Sequence, residues 1–212
     1  MGVREVIFVP YTDIGTLVMY APTYDVEMCV PLVPSERQCE VERCRNDKTR
    51  REKYLVWKLL ERAVKERFNL DFANLEFTKN ENGQWLCPDF YFSLSHTDGA
   101  VCVAVSTKPV GVDIEKKREV REGLYARMLT ECEREYILTL PSGERCDFFL
   151  SSWVKKESLF KRDGGSCLMP AHRETLDSDT RLLRVKIADG EYFIGLANTE
   201  NEKYEIIYTE EL

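Results

Sequence analysis

Residues 110–115 (Val-Gly-Val-Asp-Ile-Glu) alternate strictly, and a β-strand is the regular structure that buries Val110, Val112 and Ile114 together. Asp113 and Glu115 then lie on the other face, about 6–7 Å apart, because a strand rises about 3.3 Å per residue. Two like charges placed side by side repel each other unless a cation lies between them. The pattern therefore predicts a strand whose acidic face has a positively charged partner.

A helical pattern follows over residues 148–161. The positions on one face recur at intervals of four residues, so an apolar stripe continues into a glutamate and a lysine: Phe149, Trp153, Glu157 and Lys161. A third carboxylate near the core favours a hard divalent cation held by oxygen ligands, with Mg²⁺ as the first candidate. The alternative is a solvated strand face and a surface ion pair between Glu157 and Lys161. Spacing alone leaves both interpretations open.

Composition limits the class of protein. With 212 residues, 43% of them hydrophobic and 11% aromatic, the chain can build a real core in one large domain or two small ones. The net charge of −7 argues against a nucleic-acid-binding protein. Eight scattered cysteines without a CxxC pair, no signal-peptide pattern and no long apolar run predict a reduced, cytoplasmic protein.

The first half of the chain reads as a short strand over residues 5–9, a charged segment over 35–53 and a long amphipathic helix over 48–68. The basic residues before and within the helix start have two interpretations. They are either a solvated helix start or a phosphate-binding patch that leads an anionic ligand into a cleft.

A β-hairpin is predicted next, with strands over residues 90–95 and 100–106 and with His96 at its tip. The chain contains only two histidines, so a His-rich zinc site is not expected. A histidine at a turn is either plain surface or, beside the acidic strand, a group that binds a phosphate oxygen.

The second half continues with a helix over residues 124–140, in which Thr130 and Glu133 fit a capping box. Strands over 183–187, 192–197 and 204–208 read as a meander. These patterns predict an α+β fold of two similar halves, 1–108 and 109–212, each a small antiparallel sheet packed with a long helix.

Three motifs in order resemble those of the 4′-phosphopantetheinyl transferases, and most closely the larger, surfactin-synthetase-activating type. They are residues 92–96 (Phe-Ser-Leu-Ser-His), 111–115 (Gly-Val-Asp-Ile-Glu) and 153–161 (Trp-Val-Lys-Lys-Glu-Ser-Leu-Phe-Lys). The resemblance covers roughly residues 35–165. It implies that the two halves are related by a pseudo-twofold, with the active site in the cleft between them. It implies Mg²⁺-dependent transfer of 4′-phosphopantetheine from coenzyme A to a serine of an apo acyl or peptidyl carrier protein, with release of adenosine 3′,5′-bisphosphate.

The resemblance also implies roles for individual residues. The Mg²⁺ ligands would be Asp113, Glu115 and Glu157, and Lys161 would contact the coenzyme A phosphates and act in catalysis with Glu157. His96, with Ser95, would bind phosphate. Glu133 would be a base or a structural residue, which the capping box explains equally well. Among the basic residues of the first half, Lys53 and Arg37 are preferred over Arg50 and Arg51 for the 3′-phosphate of coenzyme A.

One departure from the family pattern lies before the hairpin. Gly83-Gln84-Trp85 stands where Gly-Lys-Pro is common, which puts the adenine-side contacts in question. Because both halves of the site lie in one chain, a monomer is expected. Two alternatives keep the same residues: a Mg²⁺-dependent hydrolase of a nucleotide-containing pyrophosphate, and a non-catalytic protein that binds coenzyme A or a carrier protein.

Overall fold

Two β-sheets pack face to face, and each is covered on its outer side by one long helix. The computed structural model describes residues 15–165, 170–199 and 202–210. The strand predicted over residues 5–9 lies outside these ranges. The strands are β1 (Thr16–Pro22), β2 (Thr78–Lys79), β3 (Trp85–Leu86), β4 (Tyr91–Thr97), β5 (Ala100–Ser106), β6 (Gly111–Lys116), β7 (Arg181–Ile187), β8 (Gly190–Ala197) and β9 (Tyr204–Tyr208). The helices are α1 (Ser35–Glu42), α2 (Asp47–Phe68), α3 (Tyr125–Met128), α4 (Glu131–Thr139) and α5 (Ser142–Arg162).

The first sheet has the strand order β4-β5-β1-β9, and the second has the order β6-β8-β7. In each half, a strand is followed by a long helix and a hairpin, and the second hairpin strand pairs with the first strand of that half. The two halves therefore share one strand order, β1-β5-β4 and β6-β8-β7, with antiparallel pairs throughout. The α+β prediction agrees with this architecture.

The last strand does not complete the predicted meander. β9 pairs in parallel with β1 of the first sheet, so this sheet is mixed and not purely antiparallel. Ile207 packs against the core under α2, and Ile206 packs between the sheets. The alternation of β9 correctly indicated a strand, but alternation does not tell which sheet edge a strand joins.

Strand alternation builds the layers of the molecule. Leu17 and Met19 of β1 face the core under α2, whereas Val18 faces the second sheet. β5 divides in the same way: Val101, Val103 and Val105 face α2, and Ala100, Cys102 and Ala104 face the second sheet. Because every β5 side chain is buried, this strand lies at the centre of the fold.

Two glycines let α5 lie directly on the second sheet. A Cβ on Gly111 would be 1.8 Å from the carbonyl oxygen of Ser158, and one on Gly195 would be 2.3 Å from that of Val154. Both distances are far below a van der Waals contact, so only glycine permits this approach. The acidic face of β6 is thereby brought against α5.

The predicted long helix over 48–68 is confirmed as α2, which Asn46 caps at its start and which ends at Asn69 in the left-handed region. The helix predicted over 124–140 is instead α3 and α4, because the capping box of Thr130 starts a new helix there. α5 begins at Ser142, before the predicted start at Phe148. Pro141 is its N-cap residue, and Gly143 in the first turn does not stop the helix. In the described ranges, no helix is long and apolar enough to cross a membrane.

The position of His96 also differs from the prediction. It lies within β4, opposite Val101, and the tip of the hairpin is formed by Asp98 and Gly99. Gly99 has φ +87°, which suits a tight turn and explains why the turn lies further along. As a strand residue, His96 has a fixed backbone and points to one face.

Candidate functional site

Two serines of β4 join the edges of the two sheets. The Ser93 hydroxyl accepts a hydrogen bond from the Val112 N–H at 3.0 Å, and the Ser95 hydroxyl accepts one from the Ile114 N–H at 3.1 Å. The two serine hydroxyls thus accept from backbone N–H groups on the edge of β6 that no other strand pairs with. The Ser-Leu-Ser spacing places both hydroxyls on one face of β4. The motif therefore has a structural function: it fixes β6 against the first half.

Asp113 lies at this junction and is nearly buried, with 7% of its surface exposed. Its Oδ1 accepts hydrogen bonds from the Ser95 hydroxyl and from Lys161 Nζ, both at 2.7 Å. Lys161 also donates to the Val112 carbonyl at 3.1 Å. Ser95, predicted to bind coenzyme A, thus has its hydroxyl engaged by Asp113 and the β6 backbone. Lys161 connects α5 to β6.

The carboxylate of Glu115 is paired with an arginine side chain. Arg118 Nη1 lies 2.6 Å from its carboxylate, and the Thr97 hydroxyl lies at 3.4 Å. Each acidic residue of β6 is therefore paired with a basic side chain of its own. Arg118 was not among the predicted site residues, although it follows the strand directly.

Glu157 is the least satisfied carboxylate of the site. It makes no hydrogen bond or ion pair with any residue in the described part of the chain. Its pKa is raised to about 6, first by burial and then by the charges of Asp113 and Glu115, against the opposing effect of Lys161. The three predicted metal ligands are thus close enough to act on each other electrostatically. Within the described ranges, however, no three His, Cys, Asp or Glu side chains already form a metal-binding group.

Oxygen-only carboxylate ligands fit Mg²⁺ or a similar hard cation. A bound cation would relieve the repulsion that, after burial, contributes to the raised pKa of Glu157. The residues present therefore fit such an ion by charge and by donor type. Lys161 and Arg118 hold Asp113 and Glu115 through ion pairs.

A cluster of basic residues surrounds His96 on the other side of β4. The pKa of His96 is lowered to about 4, first by burial and then by the charges of Lys161, Arg37 and Lys53. Arg37 is 7% exposed; it donates to the Lys53 carbonyl at 2.8 Å and lies over the Trp57 ring. Lys53 is half-buried and has no ion-pair partner in the described part of the chain.

The other basic candidates are engaged elsewhere. Arg50 pairs with Asp47 at 2.5 Å, and Arg51 pairs with Asp25 at 2.8 Å. Neither is among the charges that act on His96. Lys53 and Arg37 thus lie in one electrostatic neighbourhood with His96 and Lys161.

Glu133 is engaged in a buried network away from solvent. The predicted capping box with Thr130 is confirmed. Its other oxygen accepts from the Thr175 N–H at 3.0 Å and from the Thr175 hydroxyl, and Lys156 Nζ lies 2.7 Å away with both side chains fully buried. Both carboxylate oxygens are thus occupied, which supports the structural interpretation of Glu133.

Sequence reasoning missed Glu52 and Lys156. Glu52 lies on the apolar face of α2, one turn before Val56 and two turns before Leu60, and a charge on such a stripe is a readable signal. Lys156 is likewise a charged residue on a buried face, since it lies one turn after the buried Ser152 of α5. Its partner Glu133 is distant in sequence, so the pair itself was not readable.

The departure at Gln84 has a structural explanation. Its side-chain amide donates to the Lys161 carbonyl at 2.9 Å, and Asn80 and Asn82 both donate to the Gly164 carbonyl at 3.0 Å. The turn over residues 80–84 thus caps the C-terminal end of α5. A cavity of about 200 Å³, lined by Gln84, Trp85 and Lys161 among others, lies beside it.

Comparison with known proteins gives concordant results. Residues 109–207 match the family model described as the 4′-phosphopantetheinyl transferase superfamily. The 4′-phosphopantetheinyl transferase ffp of Bacillus subtilis is 31% identical over 115 residues, which are 53% of this chain and 51% of that protein. The transferase Sfp of Bacillus subtilis strain 168 is 29% identical over 149 residues, 69% of this chain and 63% of Sfp. The transferase gsp of Aneurinibacillus migulanus is 28% identical over 122 residues, 57% and 52% of the two chains.

The chain thus spans about half to two thirds of the length of the curated relatives it matches. The family match contains β6 and α5, and hence Asp113, Glu115, Glu157 and Lys161. Over these segments the chain is similar to the 4′-phosphopantetheinyl transferase superfamily, and among its relatives to the transferase Sfp.

Proposed function

We propose that this protein transfers 4′-phosphopantetheine from coenzyme A to a serine of an apo acyl or peptidyl carrier protein. The observation that carries this proposal is the position of Lys161. Its ammonium group is bonded to Asp113 of the acidic cluster and acts electrostatically on His96 of the basic cluster. An acidic site for a cation and a basic site for phosphates therefore meet at one lysine, as a magnesium pyrophosphate substrate requires.

The reaction forms one bond and breaks one. The carrier serine oxygen bonds to the phosphorus that bears pantetheine, and the bond from that phosphorus to the other phosphate of the pyrophosphate breaks, releasing adenosine 3′,5′-bisphosphate. The serine proton goes to a carboxylate of this chain. Glu133 has both oxygens occupied, so Glu157 is the side chain with an open oxygen for that proton. Lys161 donates a hydrogen bond to the departing phosphate.

The metal ligands in this proposal are Asp113, Glu115 and Glu157. When bound, Mg²⁺ supplies positive charge to the pyrophosphate oxygens. Ser95 keeps the Asp113 carboxylate in place through its 2.7 Å hydrogen bond. The coenzyme A is proposed to lie in the cleft between halves 1–108 and 109–212, with the halves related by a pseudo-twofold. The shared strand order of the two halves supports that relation.

Arg37, Lys53 and His96 are proposed to bind the 3′-phosphate of coenzyme A. Lys53 is the strongest candidate because its ammonium has no ion-pair partner in the described ranges, whereas Arg37 already contacts Glu40 at 3.0 Å. A charge-assisted hydrogen bond to phosphate contributes roughly 1.5–3 kcal/mol. Losing the 3′-phosphate should therefore weaken binding by about tenfold or more.

This assignment is tested by measuring how two ligands bind to two forms of the protein. Calorimetry gives the affinities of coenzyme A and 3′-dephospho-coenzyme A for the wild type and for Lys53→Ala. We expect the wild type to favour coenzyme A by about tenfold or more and the variant to lose most of that preference. Lys65→Ala is the matched control, because Lys65 is exposed on the same helix further from His96.

Two results would contradict the proposal. If Lys53→Ala and Arg37→Ala both kept the full preference for coenzyme A, the 3′-phosphate site would be elsewhere. If the wild type bound neither ligand, with or without Mg²⁺, the proposed function would be wrong.

A further inference from the structure

A buried carboxylate of α2 holds the imidazole of His96. His96 Nδ1 lies 3.1 Å from Glu52 Oε2, and the Glu52 side chain is only 7% exposed. The His96 side chain is 32% exposed, so its ring reaches from this buried contact toward the basic cluster. No residue in the described ranges makes a hydrogen bond to Nε2. The ring therefore has one nitrogen fixed by the protein and one nitrogen open.

Charged groups from several elements face this pair. Lys53 and Lys48 come from α2, Arg37 from α1, Lys161 from α5, and Asp98 from the hairpin turn. Burial and three of these cations lower the pKa of His96 to about 4. Burial also raises the pKa of Glu52, with Lys48 opposing and Asp98 adding to this effect. At neutral pH, His96 is uncharged, and one proton lies between Nδ1 and Oε2.

We propose that Glu52 is a positioning residue that holds His96 through Nδ1–H and becomes the counter-ion of the imidazolium when a phosphate group binds at Nε2. Phosphate binding then takes up one proton from solvent. This inference rests on the proposed function only for the origin of the phosphate, which is the 3′-phosphate of coenzyme A or of the product.

The proton count follows from the hydrogen-bonding groups. Phosphate oxygens only accept hydrogen bonds, and a neutral imidazole has a single N–H. Because Nδ1–H already donates to Glu52, Nε2 needs an added proton before it can donate to phosphate. The imidazolium then lies between two anions, Glu52 and the phosphate, which favours its charged form over the neutral form. Without Glu52, only the phosphate would offset the three neighbouring cations.

The first part of this inference, the Nδ1–H tautomer of His96, can be tested in the protein without ligand. ¹⁵N-histidine NMR reads the tautomer of each ring, and the sequence holds only two histidines, so His172→Gln assigns the spectrum. We expect the Nδ1–H tautomer for His96 in the wild type at about pH 7 and a mixture of tautomers in Glu52→Gln. An Nε2–H tautomer in the wild type would overturn the inference, because no proton uptake would then be needed.

Proton uptake tests the second part. Adenosine 3′,5′-bisphosphate is titrated by calorimetry in two buffers of different ionisation enthalpy. The pH is about 7, at which a phosphate monoester is mainly a dianion. We expect the wild type to take up between one half and one proton, and Glu52→Gln and His96→Gln to take up almost none. Between pH 7 and 8, the wild-type affinity should fall by roughly threefold to tenfold and that of Glu52→Gln should stay nearly level.

Glu61→Gln is the control, since Glu61 lies on the same helix and pairs with Lys58. It should reproduce the wild-type proton number. Equal uptake in the wild type and Glu52→Gln would overturn the inference, and so would a failure of the bisphosphate to bind. The NMR result separates the two proposals. The Nδ1–H tautomer together with absent carrier transfer would refute the proposed function alone, and an Nε2–H tautomer together with active transfer would refute this inference alone.

Discussion

At the scale of single residues, the site is a set of carboxylates with unequal partners. Asp113 is held by Ser95 and Lys161, and Glu115 is held by Arg118, whereas Glu157 has no bonded partner in the described part of the chain. Charges that repel one another are costly to hold together unless a ligand compensates them. In the proposed function, a divalent cation supplies this compensation at Glu157.

Glu157→Gln should abolish Mg²⁺-dependent transfer and leave the fold intact. The change removes a ligand charge without changing the side-chain volume, and Glu157 makes no ion pair in the described ranges that the fold would lose. Turnover is measured with saturating Mg²⁺, and the melting temperature serves as the folding control. Near-normal turnover in this variant would rule out the three-carboxylate metal site.

Glu133→Gln should act on stability and not on chemistry. The change leaves Lys156 fully buried without its counter-charge, and breaking a buried pair in this way costs about 3–5 kcal/mol. Urea unfolding should show this loss, and the double variant Glu133→Gln/Lys156→Met should recover more than half of it. A Glu133→Gln protein that is fully stable but inactive would instead make Glu133 a catalytic base.

At the scale of secondary-structure elements, the contact between α5 and the second sheet sets the geometry of the site. Asp113 and Glu157 come from different elements, and the two glycines of the sheet let these elements approach. Gly111 is part of the same short motif as Asp113 and Glu115. The motif therefore combines the acidic groups with the packing that brings them to α5.

Gly111→Ala should displace α5 from the sheet. The added Cβ would meet the Ser158 backbone, which cannot move without moving the helix, so we expect a loss of about 3 kcal/mol or more in unfolding free energy. Transfer activity should fall as well, because Glu157 moves with α5. Gly123→Ala is the matched control, since a Cβ there has no neighbour within 4 Å. Equal stability of the two variants would contradict the close packing of α5.

The sequence was most informative where one element carries its own pattern. The alternation of β6, the apolar stripe of α2 and the capping box of Thr130 were readable because each depends on neighbours along the chain. The Asp113–Lys161 and Glu133–Lys156 pairs were not readable from spacing, because each joins distant segments. The hairpin turn was predicted to start at His96, but β4 continues through Thr97 and the turn starts at Asp98, two residues later.

At the scale of the whole molecule, the two halves are not independent units. The two sheets share one core, in which Val18, Cys102, Val112 and Ile194 are buried together. β9 crosses back from the second half to pair with β1. Neither sheet could therefore lose its partner without exposing apolar surface to water.

Unfolding should accordingly be cooperative across both halves. The chain has three tryptophans, of which Trp57 and Trp85 lie in the core under α2, and Trp153 lies on α5. Urea unfolding of Trp153→Phe reports the first half, and that of Trp57→Phe/Trp85→Phe reports the second. Within each protein, tryptophan fluorescence and far-ultraviolet circular dichroism should give coincident transitions. Separate transitions in either protein would indicate that the halves unfold independently.

The proposed function is the transfer of phosphopantetheine to a carrier protein with the help of a divalent cation. Intact-mass spectrometry of an apo carrier protein, incubated with this protein, coenzyme A and Mg²⁺, detects that transfer. We predict that the carrier gains the mass of one phosphopantetheine group and that EDTA prevents this gain. No gain with several apo carriers, or turnover of coenzyme A without any carrier, would refute the proposed function.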